Sequence, residues 1–536
     1  MKKAIAAIIM AIALMAALML PSLASPSNLS KGAVLSSAAR QQLKQADAMK
    51  TQLISQGTRA ALAPVTTWAE LDAAVADPNV PVIMIANNIQ MEDTLILDRS
   101  MVIMSISGGD VTLFSAADQM HFMIESDYDV YLVFESIILD GGGISQGLLP
   151  VNLSVVNCVT TGNLEFYYYE PWGDDAPRSV FISNAVIQGS INASAYGQIT
   201  LYNCEVTGGN NNGTYSGINL HSNDDTALYN CEILGGYVNV NGIDVTISNT
   251  TYSNGIGNGF QIFAANSDIT GSDFVDSEVG VMVSSSYATL TDCNFIGNDR
   301  SGVLFYTYQA TLTNCIISGN VSNNSGGGLF INKYWEIDQC LVTFQGCTII
   351  DNYADEYGGG IAVVEDYPAF SLGPAVVILE DDCLVSGNQA LYGAGISNAN
   401  GEVIIDGSTV ELNGCYYDNS YNMVVTADKG GGIYADTLTA QSGSNITDNY
   451  ANLDGGGIYC LGNVTINRSN VDYNIAGGNG GGIWTSGVFT LNNTSNVRSN
   501  DAGGNGGGVY ILGTPYVIAN QARITRNFPD QVYFGP

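Results

Sequence analysis

Four glycine triplets, Gly430-Gly431-Gly432, Gly455-Gly456-Gly457, Gly480-Gly481-Gly482 and Gly506-Gly507-Gly508, each precede an Ile or Val and recur at intervals of 25, 25 and 26 residues. A fixed period in this range marks a solenoid: each repeat is one coil and buries its apolar side only against its neighbours. Three earlier copies, Gly326-Gly327-Gly328, Gly358-Gly359-Gly360 and Gly393-Ala394-Gly395, are spaced more widely, so loops are expected to leave the coil at 333–339, 365–372 and 415–429. Such loops are where specific function would sit.

The coils read as strands. Val82-Ile83-Met84-Ile85, Thr94-Leu95-Ile96-Leu97, Met101-Val102-Ile103-Met104 and Tyr131-Leu132-Val133-Phe134 are short β-rich runs between turn residues, with no sustained helical period among them. Parallel strands joined by turns that wind in one sense make a β-helix of about 18 coils over 80–527, given about 25 residues per coil. A second phrase recurs as Leu201-Tyr202-Asn203-Cys204, Leu228-Tyr229-Asn230-Cys231, Leu290-Thr291-Asp292-Cys293, Leu312-Thr313-Asn314-Cys315 and Phe344-Gln345-Gly346-Cys347. Its Leu or Phe should point inward, its Asn, Asp or Gly should take the bend in a left-handed conformation, and its Cys should point inward again. Asn298, Asn320, Asn352, Asn388, Asn449, Asn474, Asn500 and Asn527 end many copies and suit a stacked amide ladder. Seven of the ten cysteines share the inward position, either as a column of free thiols or with occasional cross-coil disulfides. The close spacing of a zinc knuckle is missing.

Lys2-Lys3, the apolar run 4–20 and Ser22-Leu23-Ala24 follow the order of a secretory signal peptide, with cleavage expected after Ala24. Residues 25–64 read as a helical tether or linker, 65–79 as a capping helix opened by Thr67-Trp68-Ala69-Glu70, and 80–536 as the parallel β-helix. No later segment is apolar enough to span a bilayer, so no integral membrane segment is expected after signal removal. With 16 basic and 50 acidic residues the net charge is −34, which repels nucleic acid and anionic membranes.

The triplets, with Asn-ending phrases such as Ile446-Thr447-Asp448-Asn449 and Val471-Asp472-Tyr473-Asn474, resemble the repeats of polymorphic outer-membrane proteins, and 183–320 is similar to the coils of pectate-lyase-like proteins. The resemblance implies an all-β fold, a right-handed parallel β-helix solenoid. Polymorphic outer-membrane proteins continue into a carboxy-terminal membrane barrel, which the sequence through Pro536 lacks. Release to the exterior, or non-covalent retention at the cell surface, is the expectation.

Glycan lyases and hydrolases also use this scaffold. A lyase needs a basic group beside a uronate, but Arg99, Arg178, Arg300, Lys333, Lys429, Arg468, Arg498, Arg523 and Arg526 are scattered over many coils. A hydrolase needs paired carboxylates, and the weak candidate is His221 with Asp224 and Asp225, followed by Gly242-Ile243-Asp244. No cofactor is expected. A structural calcium is an alternative, although Gly482 stands where a β-roll would need its ligand Asp. Strand alternation points Tyr434, Tyr459, Trp484 and Tyr510 outward as an aromatic stripe, either stacking to stabilise the coils or binding sugar rings. On the same reasoning Gly432, Gly457, Gly482 and Gly508 form a flat outward strip beside it. Tyr168 and Trp172 make a second aromatic candidate in the run 166–172. The expected function is a secreted or surface-associated, non-catalytic, adhesin-like binding protein that contacts glycans or a host or matrix surface. The alternative is a polysaccharide lyase or glycoside hydrolase, and the oligomeric state stays open.

Overall fold

A computed structural model describes residues 64–535, apart from 107–110, 117–118, 126–129, 147–150, 167–178, 208–209, 212–213, 216, 334–339, 366–372, 419–421, 514–515 and 520, together with the isolated helical and exposed residues Lys44, Ala48 and Gln52. The expected leader, nearly all of the tether, Tyr168, Trp172 and the loops at 334–339 and 366–372 lie outside the described residues. The coils all belong to one compact unit within Leu35–Pro536.

Each coil lays down three short strands. One runs Ile218–Ser222, Thr226–Tyr229 and Glu232–Leu234, and the next runs Val238–Asn241, Asp244–Ser248 and Thr251–Ser253. Equivalent strands pair in parallel and in register, so that Ile218 lies beside Val238, Leu228 beside Ile247 and Ile233 beside Tyr252. Along the first face one register line passes through eighteen residues: Leu95, Phe122, Ile144, Leu164, Ile191, Ile218, Val238, Phe260, Val281, Val303, Leu329, Ile361, Ile396, Ile433, Ile458, Ile483, Val509 and Val532. All but the last are buried; a coil has no other way to shield its apolar side than to stack. In five coils the first and second faces run together, as Phe260–Thr270, Val279–Thr291, Ser301–Thr313, Ile396–Asp406 and Ile433–Gln441.

Helix α1 (Trp68–Ala76) closes the amino-terminal end. The Thr67 hydroxyl accepts from the Glu70 amide, and the Glu70 carboxylate accepts from the Thr67 amide, satisfying donors that an open helix end leaves bare. Leu71 and Val75 are buried in the core and Trp68 packs against it.

The bends are set by backbone stereochemistry. Asn203, Asn230, Asp292, Asn314 and Gly346 all take positive φ, between 51° and 60°, as the repeated phrase predicts. The cysteine that follows each bend is buried, and all ten cysteines are free thiols. Burial pushes the Cys158 and Cys460 thiols up to about 12, since a thiolate would lose its hydration there. Further along, serines take over the column: the Cys383 amide donates to Ser408 Oγ at 3.1 Å, and the Ser469 amide to Ser495 Oγ at 3.2 Å.

The amide ladder is continuous from Asn298 through Asn320, Asn352, Asn388, Asn413, Asn449, Asn474 and Asn500 to Asn527. Each backbone amide and each Nδ2 donates to the next coil's Oδ1, at 2.9–3.1 Å. Gln531 Oε1 accepts the last Nδ2 at 2.9 Å. Asn413, which the repeat pattern did not single out because a hairpin follows it, belongs to the ladder. That hairpin, Cys415–Tyr417 with Met423–Val425, rises where a loop was expected.

Candidate functional site

The glycine triplets are three answers to three different steric demands. Gly480 has φ of +69°; a Cβ on Gly481 would lie 2.3 Å from the Asp501 carbonyl of the next coil; one on Gly482 would lie 2.6 Å from the Gly508 carbonyl and 2.9 Å from the Asn500 amide. The third glycine therefore faces the buried asparagine ladder. This corrects the expectation of an outward, side-chain-free strip: Gly432, Gly457, Gly482 and Gly508 are all buried, because the ladder fills the corner they border. Gly280 and Gly302, which stand outside any triplet, meet Asn298 and Asn320 in the same way.

The residue after each strand's first core position points away from the core. Tyr434, Tyr459, Trp484, Tyr510 and Tyr533 occupy that place in five successive coils. Their rings stack at centroid separations of 5.2, 4.2, 6.3 and 5.5 Å, with interplanar angles of 3°, 6°, 8° and 21°. Tyr392 and Tyr357, from the turns before two earlier triplets, extend the column to seven rings. Stacking closes ring faces and leaves edges, so Tyr459 is only 6% exposed, while Tyr434, Trp484 and Tyr510 are half-buried. Lys429 Nζ lies 3.3 Å from Tyr459 Oη and 4.7 Å from the centre of its ring. Burial, reinforced by Tyr459, Tyr357 and Tyr392, raises the Tyr434 phenol above its ordinary range, so the column stays protonated at that ring. Tyr533 and the two earlier tyrosines were not anticipated; the first lies beyond the last triplet, and the others sit in turns where alternation gives no direction.

His221 is exposed on the first face, while Asp224 and Asp225 are half-buried at the following corner. The Asp225 carboxyl is raised by burial and then by Asp224 and Asp244, and its Oδ2 lies 3.5 Å from Gln198 Nε2. The structure thus brings Asp244 into electrostatic range of the pair. Among the described residues no three His, Cys, Asp or Glu side chains converge as a metal site requires, and no helix is long and apolar enough to cross a membrane.

Residues 216–372 match the family model described as a right handed beta helix region. The fold is a right-handed parallel β-helix. The matched segment of this β-helix holds the continuous strands Phe260–Thr270, Val279–Thr291 and Ser301–Thr313 and the first three members of the asparagine ladder, Asn298, Asn320 and Asn352, with Asn388 just beyond the match. Comparison with curated proteins and with solved structures gives no match.

Proposed function

We propose that this β-helix is a secreted or surface-associated, non-catalytic, adhesin-like binding protein that contacts glycans or a host or matrix surface along the first face of its carboxy-terminal coils. The observation behind the reading is the seven-ring column: five rings, Tyr434 to Tyr533, follow one face in coil register, and Tyr392 and Tyr357 extend them from the adjoining turns. Because the faces of the inner rings are taken by their neighbours, contact falls on ring edges, phenol hydroxyls and the Lys429 ammonium. Such a strip is apolar with regularly spaced polar groups, the composition that suits an extended polymer of repeating amphipathic units. The net charge of −34 favours neutral or cationic surfaces over polyanions.

The purified protein on an array of neutral and acidic glycans supplies the test, with Trp484→Ala and Tyr510→Ala as site variants. Tyr287→Ala, 58% exposed and off the column, is the control. Binding that both column variants abolish and the control spares supports the reading; binding untouched by either removes this face.

A second reading, glycoside hydrolysis at Asp224 and Asp225, has one observation in its favour: burial, then Asp224 and Asp244, raise the Asp225 carboxyl, and a general acid in such chemistry is a raised carboxyl with a second carboxylate near it. New reducing ends released from any neutral or acidic polysaccharide, and lost in Asp225→Asn, would replace the binding reading with this one.

A further inference from the structure

One cleft interrupts the first face at the point where the coil changes design. Before it, only Asp299, Arg300 and Ser301 separate the ladder residue Asn298 from the glycine Gly302 that packs on the next ladder residue. In the following coil seven residues, 321–327, separate Asn320 from Gly328. The extra residues make the turn Ser322-Asn323-Asn324-Ser325 stand beyond its shorter predecessor, and the step between the two turns is a cleft of about 340 Å³. The turn is held by its own bonds: Ser322 Oγ donates to the Ser325 carbonyl at 2.9 Å and accepts from the Asn324 amide at 3.3 Å.

The lining is of two kinds. Leu304 and Phe330 supply an apolar wall; they are neighbours in the same register line that carries Tyr434 and Trp484 farther along. Phe330 differs from those rings in its next neighbour, which is the small, buried Ala362 and not another aromatic ring. Around the wall stand the exposed amides Asn258, Asn323 and Asn324, and the guanidinium of Arg300. Arg300 Nη1 donates to Glu278 Oε1 at 3.1 Å, and Glu278 Oε2 accepts the Gly257 amide at 2.6 Å, so the carboxylate is engaged at both oxygens while it holds the arginine. A guanidinium carries five N–H donors, and this pair engages one nitrogen.

We propose that the cleft binds one neutral sugar ring of a glycan, an assignment that rests on the glycan-contact reading above and names a site for it. An aromatic wall takes the C–H face of a pyranose, and amides with a planar multi-donor cation take its hydroxyls, as small-molecule sites combine apolar walls with a few convergent polar groups. The volume lies at the lower end of the range for such sites. Neutrality follows from the charges: Glu278 already balances Arg300, and the strongly acidic chain repels an anionic sugar.

Isothermal titration of the full chain with cellotriose, maltotriose, N-acetyllactosamine and digalacturonate tests this, alongside the array described above. The expected result is that at least one neutral probe binds, that Phe330→Ala weakens it about tenfold through loss of the ring contact, that Arg300→Gln also weakens it, and that Tyr287→Ala, which does not line the cleft, leaves it unchanged. Arg300 is exposed, so its variant decides the question if Phe330→Ala fails to fold. Neutral binding unchanged in Arg300→Gln and in any folded Phe330→Ala overturns the cleft and leaves the glycan reading standing. Array binding without binding of any soluble neutral probe, or a preference for digalacturonate, also overturns the cleft assignment alone. Absence of glycan binding in both assays overturns the two together.

Discussion

Replacing Asn449 by Ala tests whether the asparagine ladder holds the coils together. The side chain is fully buried and engaged in five hydrogen bonds. Its Oδ1 accepts the backbone amide of Asn413 at 3.1 Å and the Asn413 Nδ2 at 3.0 Å; its Nδ2 donates at 3.0 Å to Asn474 Oδ1 and to the carbonyls of Val410 and Thr447. Alanine strands two donors of Asn413 in an interior that water does not reach. Each buried unsatisfied group costs about 1–3 kcal/mol, which sums to about 2–6 kcal/mol. Asn449→Asp should cost more, because a carboxylate oxygen would then face Asn474 Oδ1 where a donor stood. Asn445→Ala is the control: it removes a half-buried side chain from a surface pair, with Asn470 Nδ2 at 3.0 Å, and should cost well under about 1 kcal/mol. Chemical denaturation gives the free energies, and amide exchange gives the location, since a solenoid coil contacts only its neighbours and the loss should concentrate around Asn413 to Asn474. An Asn449→Ala penalty no larger than that of Asn445→Ala would refute the view that the ladder is a structural spine.

Three further outcomes follow from the same geometry. Gly482→Ala should destabilise by about 1–3 kcal/mol through overpacking, since its Cβ would lie 2.6 Å from a backbone carbonyl and 2.9 Å from Asn500; Gly443→Ala, whose Cβ would meet open space, leaves only backbone strain at φ of +92° and serves as the comparison in a thermal melt. His121 is buried, its Nε2 lies 2.7 Å from the Leu113 carbonyl, and burial outweighs the nearby Asp140 to depress its folded value below the ordinary 6.5. A histidine that resists protonation only when folded contributes stability above pH 6.5 that is lost as pH falls below it; denaturation from pH 7.5 to 5 should show this decline in the parent chain and a flatter profile in His121→Gln. The ten buried thiols should be inert to a thiol reagent such as dithionitrobenzoate in the native state and all titrate after denaturation; rapid native labelling of several would contradict the packed column.

What the sequence alone determined is whatever depends on local stereochemistry repeated along the chain. The 25-residue period fixed the solenoid, the Asn and Asp bends announced themselves because few other residues take positive φ, and Thr67 with Glu70 marked a helix start. Strand alternation likewise gave the outward direction of Tyr434, Tyr459, Trp484 and Tyr510. Tertiary structure decided the rest, because it depends on what the adjacent coil places opposite each residue. The third glycine of each triplet could be assigned inward only once the asparagine ladder filled the corner beside it. The stripe is a closed stack because coil register brings its rings to 4.2–6.3 Å, burying Tyr459 and leaving ring edges outward, a choice between stacking and open faces that alternation alone left open. The cleft at Phe330 arises from a difference in length between two neighbouring turns, and its residues come from four separate stretches of chain, so no single stretch of sequence displays it. A repeat specifies its own coil, whereas a surface site is the mismatch between one coil and the next.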